Sequence, residues 1–133
     1  MSEMNTVTGS ATGALVLRGL DAAALRHTAL ASNIANVSNP SYQPLRVNFE
    51  EQLSLLRSEL LQRGDDAAVR RTLGSVQAQI EPDTERTDGV SHQIQLDVEI
   101  SKMMQNAVYY QALLTAQGKN SSIIGMAIRG GRS

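Results

Sequence analysis

The chain has 133 residues, 41% of them apolar, and a formal charge of −1, which fits one domain and excludes a disordered or collagen-like polypeptide. It has no basic run to line a nucleic-acid groove or an anionic membrane patch. With no cysteine, it can hold no disulfide, Cys-ligated zinc, iron–sulfur cluster or thiol nucleophile.

Charge is unevenly spread. Residues 46–99 hold 17 of the 25 charged side chains, whereas residues 4–45 hold three (Arg18, Asp21, Arg26) and residues 100–128 hold two (Lys102, Lys119). The expected organisation is one structural domain in three stretches: residues 1–45 as an N-terminal axial helix with its loop, 46–96 as a short solvent-facing middle, and 97–133 as a C-terminal axial helix. Aromatic residues are restricted to Phe49, Tyr42, Tyr109 and Tyr110, so rings contribute little to a core. The start, Met1 to Thr12, carries Glu3 in place of a basic region and no apolar block long enough for a signal peptide or a bilayer span. Export, if it occurs, is expected without a cleavable signal.

In chain order, Gly13, Val16, Leu20, Ala23, His27, Leu30, Ile34 and Val37 recur in steps of three and four, which predicts a helix over about residues 12–38, roughly 40 Å long. Asn39 before Pro40 ends it near Ser38, and Ser41, Tyr42 and Gln43 are expected to be extended before Pro44. Asn33, Asn36 and Asn39 recur every three residues. Asn36 and Asn39 have a plain role in ending the helix, while Asn33 beside Ile34 could fix register against a neighbouring chain as a buried amide does in coiled coils. Tyr42 would then pack against the paired helix.

Asn48 followed three residues later by Glu51 reads as a capping box, with Phe49, Leu53, Leu56 and Leu60 on one face of a helix over 49–63. Gly64, Asp65 and Asp66 interrupt it. Val76, Ala78 and Ile80 alternate with glutamines as a weak strand, followed by a turn-rich stretch from Glu81 to Gly89. Residues 93–96 are expected to be extended and a second long helix to begin at Asp97, its cap, with Glu99 in the first turn. Its seam reads Leu96, Ile100, Met103, Ala107, Tyr110, Leu114, Gln117, Ser121, Ile124 and Ile128, and Arg129, Gly130 and Gly131 form its stop.

The fold class that follows is mainly α: long N- and C-terminal helices packed as an antiparallel coiled-coil-like hairpin, with a short, partly irregular middle carrying a short helix and a weak β segment. The outer faces of the two long helices hold Ala, Ser, Thr, Asn and Gln where a solvated hairpin would carry Lys and Glu. The termini are therefore expected to fold fully only among neighbouring subunits, as segments do that order on binding.

Catalytic chemistry is sparse. His27 sits at a seam position and His92 in a polar loop, with no HExxH, phosphate loop or GxSxG. Glu81, Asp83, Glu85 and Asp88 lack the spacing and glycine of an EF-hand loop. The expectation is no enzyme, no metal and no cofactor.

The stretch LASNIANVSNPSYQ (residues 30–43) resembles the helix-ending motif of bacterial flagellar axial proteins, a variant of L-x-N-I-A-N-x-x-T-P-G-Y carried here by Leu30, Asn33, Ile34, Ala35, Asn36, Pro40 and Tyr42. Asn39 stands where Thr is usual and Ser41 where Gly is usual, which puts the shape of the turn in question. The C-terminal DGVSHQIQLDVEISKMMQNAVYYQALLTAQGKNSSIIGMAIRGG is similar to the end of the FlgB family of proximal rod proteins, with His92, Gln93 and Ile94 in place of an Asn-rich lead. Together the likeness covers residues 14–49 and 88–131.

The resemblance implies a structural subunit of the basal-body rod in the periplasm, exported by the flagellar type III apparatus, its terminal helices walling the channel and transmitting torque. Implied partners are rod subunits of the FlgC, FlgF and FlgG type, the adaptor FliE, the export gate and the MS ring, with no nucleic acid and no direct bilayer span. The residues expected to meet other subunits are Leu30, Asn33, Ile34, Ala35, Asn36, Val37, Pro40 and Tyr42, with Ile100, Met103, Ala107, Tyr110, Gln111, Leu114, Ile124 and Ile128 on the second helix. The alternatives are a FlgC-type rod subunit, a non-flagellar secreted helical hairpin, which would stop at a dimer, and a stably folded export chaperone.

Overall fold

The computed structural model describes residues 11–63, 66–84 and 91–130. In order these form α1 (Ala11–Ala35), β1 (Leu45–Val47), α2 (Glu50–Arg63), α3 (Asp66–Gly74), β2 (Ile80–Pro82) and α4 (His92–Gly130). The chain is mainly helical, with one small sheet. The readings made for Met1 to Ser10, Gly64, Asp65, Glu85, Asp88, Gly89 and Gly131 lie outside the described residues, as do the side chains of Leu60, Ser121, Ile124, Ile128 and Arg129.

Helix α1 ends as its amides suggest. Asn36 donates from both its backbone N and its Nδ2 to the Ser32 carbonyl, at 3.1 and 2.9 Å. Asn39 N then bonds the Asn36 carbonyl at 3.0 Å, and Asn39 Oδ1 accepts the Ser41 N–H at 3.0 Å. Side-chain amides thus serve backbone groups at the helix end, Asn36 as donor and Asn39 as acceptor. Ser41 consequently lies in a turn and is not extended.

Strands β1 and β2 pair antiparallel with Leu45 opposite Pro82, Arg46 opposite Glu81 and Val47 opposite Ile80. Bonds from Asp83 N to Pro44 O (2.8 Å) and from Asn48 N to Gln79 O (3.0 Å) extend the ladder at both ends. Cross-strand Arg46 and Glu81 also form an ion pair at 2.7 Å. Of the apolar residues in the predicted strand, Ile80 alone lies in β2; Val76 closes the turn after α3 and is buried.

The expected capping box is replaced. Asn48 Oδ1 accepts from Gln79 N and Gln52 Nε2, its Nδ2 donates to Glu81, and Glu51 pairs with Arg46 at 3.0 Å. The asparagine ties α2 to the sheet, and Glu50 and Glu51 still favour the positive end of the helix dipole. Helix α3 is not anticipated by the sequence reading. Its Ala68 and Leu73 are buried, and Arg18 of α1 reaches its last carbonyl, Gly74 O, at 3.2 Å.

Helix α4 begins five residues before the predicted start. Ser91 caps it, its Oγ accepting the Ile94 N–H at 3.3 Å and its carbonyl accepting the Gln95 N–H at 3.0 Å. Residues 93–96 are helical, so the alternation of Ile94, Leu96, Val98 and Ile100 is overruled by the cap. Asp97 lies exposed within the helix and accepts from Gln93 Nε2 at 3.1 Å.

The core lies where α1 meets the middle stretch. Ala22 and Ala29 of α1 join Val47, Phe49 and Val76, with Leu25, Leu45, Leu53, Leu56 and Ala78 packed against them. Residues 46–96 therefore do more than face solvent: among the described residues they supply five of the nine buried apolar side chains, Val47, Phe49, Ala68, Leu73 and Val76. Small residues on α1 admit the Phe49 ring, and this is the region with the apolar volume to hold a core.

Candidate interaction site

Helices α1 and α4 meet through a polar seam. Asn33, 4% exposed, donates from Nδ2 to the Leu45 carbonyl (2.9 Å) and to Glu99 Oε2 (3.1 Å), while its Oδ1 accepts the Leu45 N–H at 2.8 Å. One amide thus bonds both backbone groups of Leu45, as a paired strand residue does, and closes that edge of β1. The Tyr42 hydroxyl lies 2.9 Å from Asn33 Oδ1 and 2.7 Å from Ser32 Oγ. Since Oδ1 only accepts, the Tyr42 proton belongs to Asn33 and the Ser32 hydroxyl donates to Tyr42.

Asn33 therefore uses two donor and two acceptor positions within its own chain, a full complement for an amide. The register it sets is that of α1 against β1 and α4, not against a neighbouring chain. The Tyr42 hydroxyl meets the last turn of α1.

Further along the seam, Asn106 donates to the Ala23 carbonyl at 2.8 Å and accepts from Arg26 Nη1 at 3.5 Å. Arg26 Nη2 in turn bonds both Glu50 oxygens, at 2.7 and 2.9 Å. Two turns on, Gly19 faces Leu113, and a Cβ built on the glycine would lie 3.1 Å from Leu113 Cδ1. The pairs Asn33 with Glu99, Arg26 with Asn106 and Gly19 with Leu113 run in opposite senses along the two helices.

Gly19 supports a prediction. Glycine inside a helix costs about 1 kcal/mol relative to alanine, and Leu113 Cδ1 is the movable tip of a side chain, so Gly19→Ala is expected to be close to neutral. Gly19→Val puts branched carbons into the same gap and should lower stability by about 1–3 kcal/mol, read as a fall in denaturant midpoint. Equal midpoints for the two variants would mean that the helices do not approach closely there.

Glu99 is 1% exposed. A carboxylate so placed is costly unless hydrogen-bonded, and the Asn33 amide meets it. Beside the seam, Arg26, Asn33, Arg46, Lys102 and Tyr109 help line an open groove of about 630 Å³. Glu50, Asp83 and Glu99 share its lining with the three cations, and no group of three or more His, Asp or Glu among the described residues could hold a metal ion. His27 and His92 are both exposed, which moves His27 off the seam. No helix among the described residues is long and apolar enough to cross a membrane.

The expected interaction residues divide. Leu30 and Asn33 are buried; Ile34, Asn36, Val37, Tyr42, Met103 and Tyr110 are half-buried; Ala35, Pro40, Ile100, Ala107, Gln111 and Leu114 are exposed. On α4 the face turned inward runs Leu96, Glu99, Met103, Asn106, Tyr110, Leu113 and Gln117. It shares every second member with the predicted seam, but Ile100, Ala107 and Leu114 give way to Glu99, Asn106 and Leu113. The signal for this register is in the sequence, since Glu99, Asn106 and Leu113 are spaced by sevens; counting apolar residues conceals it. Gly19 and Arg26 were likewise not singled out as seam residues.

Ile100 and Leu114, displaced from the seam, are exposed. So are Ile94 and Val98, and Met104 and Val108 at 66% and 70%. Helix α4 thus turns Glu99 and Asn106 toward α1 and leaves several large apolar side chains exposed among polar ones such as Asp97, Ser101 and Gln105. No protein-family model, curated protein or solved structure matches the chain.

Proposed function

We propose that the chain is a structural subunit of a flagellar-type rod, of the FlgB kind, that polymerises through α1 and α4. One observation carries this reading: the large apolar side chains of α4, Val98, Met104 and Val108 among them, point away from the fold. A monomer rarely leaves contiguous apolar surface on a long helix unless another surface covers it. The motif at residues 30–43 and the C-terminal likeness point to the flagellar setting. In this reading α1 and α4 act as an antiparallel, coiled-coil-like hairpin, the middle stretch braces α1, and the outer side of α4 packs among other subunits. The channel wall, the torque path, the rod and adaptor partners and type III export all belong to the proposal. Catalysis has no part in it.

The chain has no cysteine of its own, which makes a clean test available. Ala35→Cys and Val108→Cys, both at exposed positions, are introduced singly into the source bacterium and basal bodies are isolated. The expected result is incorporation with crosslinks to rod neighbours. A functional, motile strain whose basal bodies lack the chain would sink the proposal.

A further inference from the structure

The small sheet has two outer edges, and they are finished differently. In an antiparallel pair, residues that exchange backbone bonds alternate with residues whose N–H and C=O point away. The bonds from Asp83 N to Pro44 O and from Asn48 N to Gln79 O make Arg46 and Glu81 the bonded pair between them. Leu45 and Val47 on β1, and Ile80 and Pro82 on β2, therefore turn their backbone groups outward. On β1 Asn33 takes both groups of Leu45. On β2, among the described residues, the Ile80 N–H and carbonyl and the Pro82 carbonyl meet no donor or acceptor.

The inner side of the same strand is held beyond the ladder. Gln52 bonds both backbone groups of Gln77, donating to its carbonyl at 2.7 Å and accepting its N–H at 3.3 Å. Asn48 does the same for Gln79, through its own N–H at 3.0 Å and its Oδ1 at 3.2 Å. Residues 77–83 are thus kept extended from one side, and on the other Ala78, Ile80 and Pro82 form a template for a further strand. Their side chains share the face of Leu45 and Val47, which packs on α1, with Ala78 against the core. Ile80 is 38% exposed at the rim of that face. None of the three is charged, the common device for closing such an edge.

We propose that this edge takes the same edge of a second copy, antiparallel across a two-fold axis at Ile80, so that two small sheets join into one. The residues along it select that occupant. With Ile80 opposite Ile80, each copy's Ile80 N–H donates to the other's Ile80 carbonyl, and each Ala78 N–H to the other's Pro82 carbonyl. Pro82, which has no N–H, stands at the end of the pairing, where the missing bond falls next to solvent. On one face Gln79 stands opposite Glu81 and Gln77 opposite Asp83, an amide against a carboxylate each time. On the other face the two Ile80 side chains cover one another. Sliding the pairing by two residues one way sets Glu81 against Glu81 and leaves both Ile80 carbonyls without a donor. Sliding it the other way sets Ile80 against Ala78 and draws in Val76, whose N–H already bonds Leu73 O at 3.1 Å.

From Ala78 to Pro82 the edge is about 14 Å long, and a contact along it covers well under the ~800 Å² per partner of a standard stable interface. The dimer is therefore weak and fills as protein concentration rises. A two-fold contact turns the second copy end over end and cannot repeat along a tube whose subunits all point one way. It is a property of the free chain, and it does not rest on the rod reading.

Disulfide trapping of the purified full chain, which has no cysteine of its own, tests the pairing. Residues opposite one another in a bonded pair lie about 5.5 Å apart at Cα, within reach of a disulfide. Under mild oxidation Ile80→Cys is expected to dimerise about tenfold faster than Ser54→Cys, an exposed control on α2, because its thiols meet at the effective concentration of a contact already formed. Ala78→Cys and Pro82→Cys should each stay at the control rate alone and link to one another when mixed. In the unsubstituted chain, hydrogen exchange at the Ile80 N–H should slow as protein concentration rises. Ile80→Cys at the control rate, or Ile80 exchange independent of concentration, would overturn the second copy as occupant. Ala78→Cys linking to Ile80→Cys in preference to Pro82→Cys would overturn the axis at Ile80.

Discussion

Asn33→Ala is expected to cost about 3–5 kcal/mol, a large share of the ~5–15 kcal/mol that holds a typical domain together. Truncation strips partners from the Leu45 N–H, the Leu45 carbonyl, the Tyr42 hydroxyl and Glu99 Oε2 at once. Each buried polar group left in this way costs about 1–3 kcal/mol, less where water can enter. Asn33→Asp should be worse at neutral pH despite its similar shape, because it loses both donated bonds and sets a second carboxylate beside Glu99. Replacing both partners, Asn33→Leu with Glu99→Leu, removes the buried carboxyl group and should recover part of the loss. Urea denaturation followed by circular dichroism measures all four chains. A midpoint for Asn33→Ala within error of the parent's would remove Asn33 from the centre of the seam.

Phe49→Ala should lower stability by a similar amount, about 3–5 kcal/mol. The ring is 2% exposed, and its buried neighbours in the core are Ala22, Ala29, Val47 and Val76. The two alanines sit on the long helix α1 and cannot move in to fill the space, so the cavity persists and the cost falls at the upper end. Phe49→Leu leaves a smaller void and should cost about a third as much. Near-equal denaturation midpoints for the alanine variant and the parent would mean that the middle stretch is not docked on α1. A cooperative transition lost altogether in Phe49→Ala would strengthen the case that one core joins both.

Much of the architecture is legible in the residues. The periodicity of α1, its stop before Pro40, and the helix after Asn48 follow from local chemistry acting over a few residues, and the ends of α1 and α2 agree with it to within three residues. The register of α4 does not follow, because apolar side chains mark a buried face only when burial is decided inside one chain. Glu99 and Asn106 face inward because Asn33, Arg26 and the Ala23 carbonyl are there to receive them, and those partners lie 66 to 83 residues away. Helix α3 escaped for another reason: nine residues with two adjacent arginines show too short an apolar face until α1 supplies its other half. The cap at Ser91 outweighs four residues of strand-like alternation because an initiated helix gains a bond with every residue added. Asn33 itself was recognisable as an amide too many on an apolar face. What it binds was not, since the Leu45 backbone announces nothing in its side chain.

The distance along the chain between the halves of the seam also bears on how the molecule comes into being. The pairings that complete α1 reach from the first quarter of the polypeptide into its last third, and the two short strands close over the whole of α2 and α3. For a helical protein this is an unusually distant set of contacts, and loop closure of that span slows folding relative to bundles joined neighbour to neighbour. During synthesis α1 can gather Phe49 and Val76 early, but its polar flank waits for residues 99 to 113. Until they emerge, the nascent chain holds an open amide where the finished molecule has a lock.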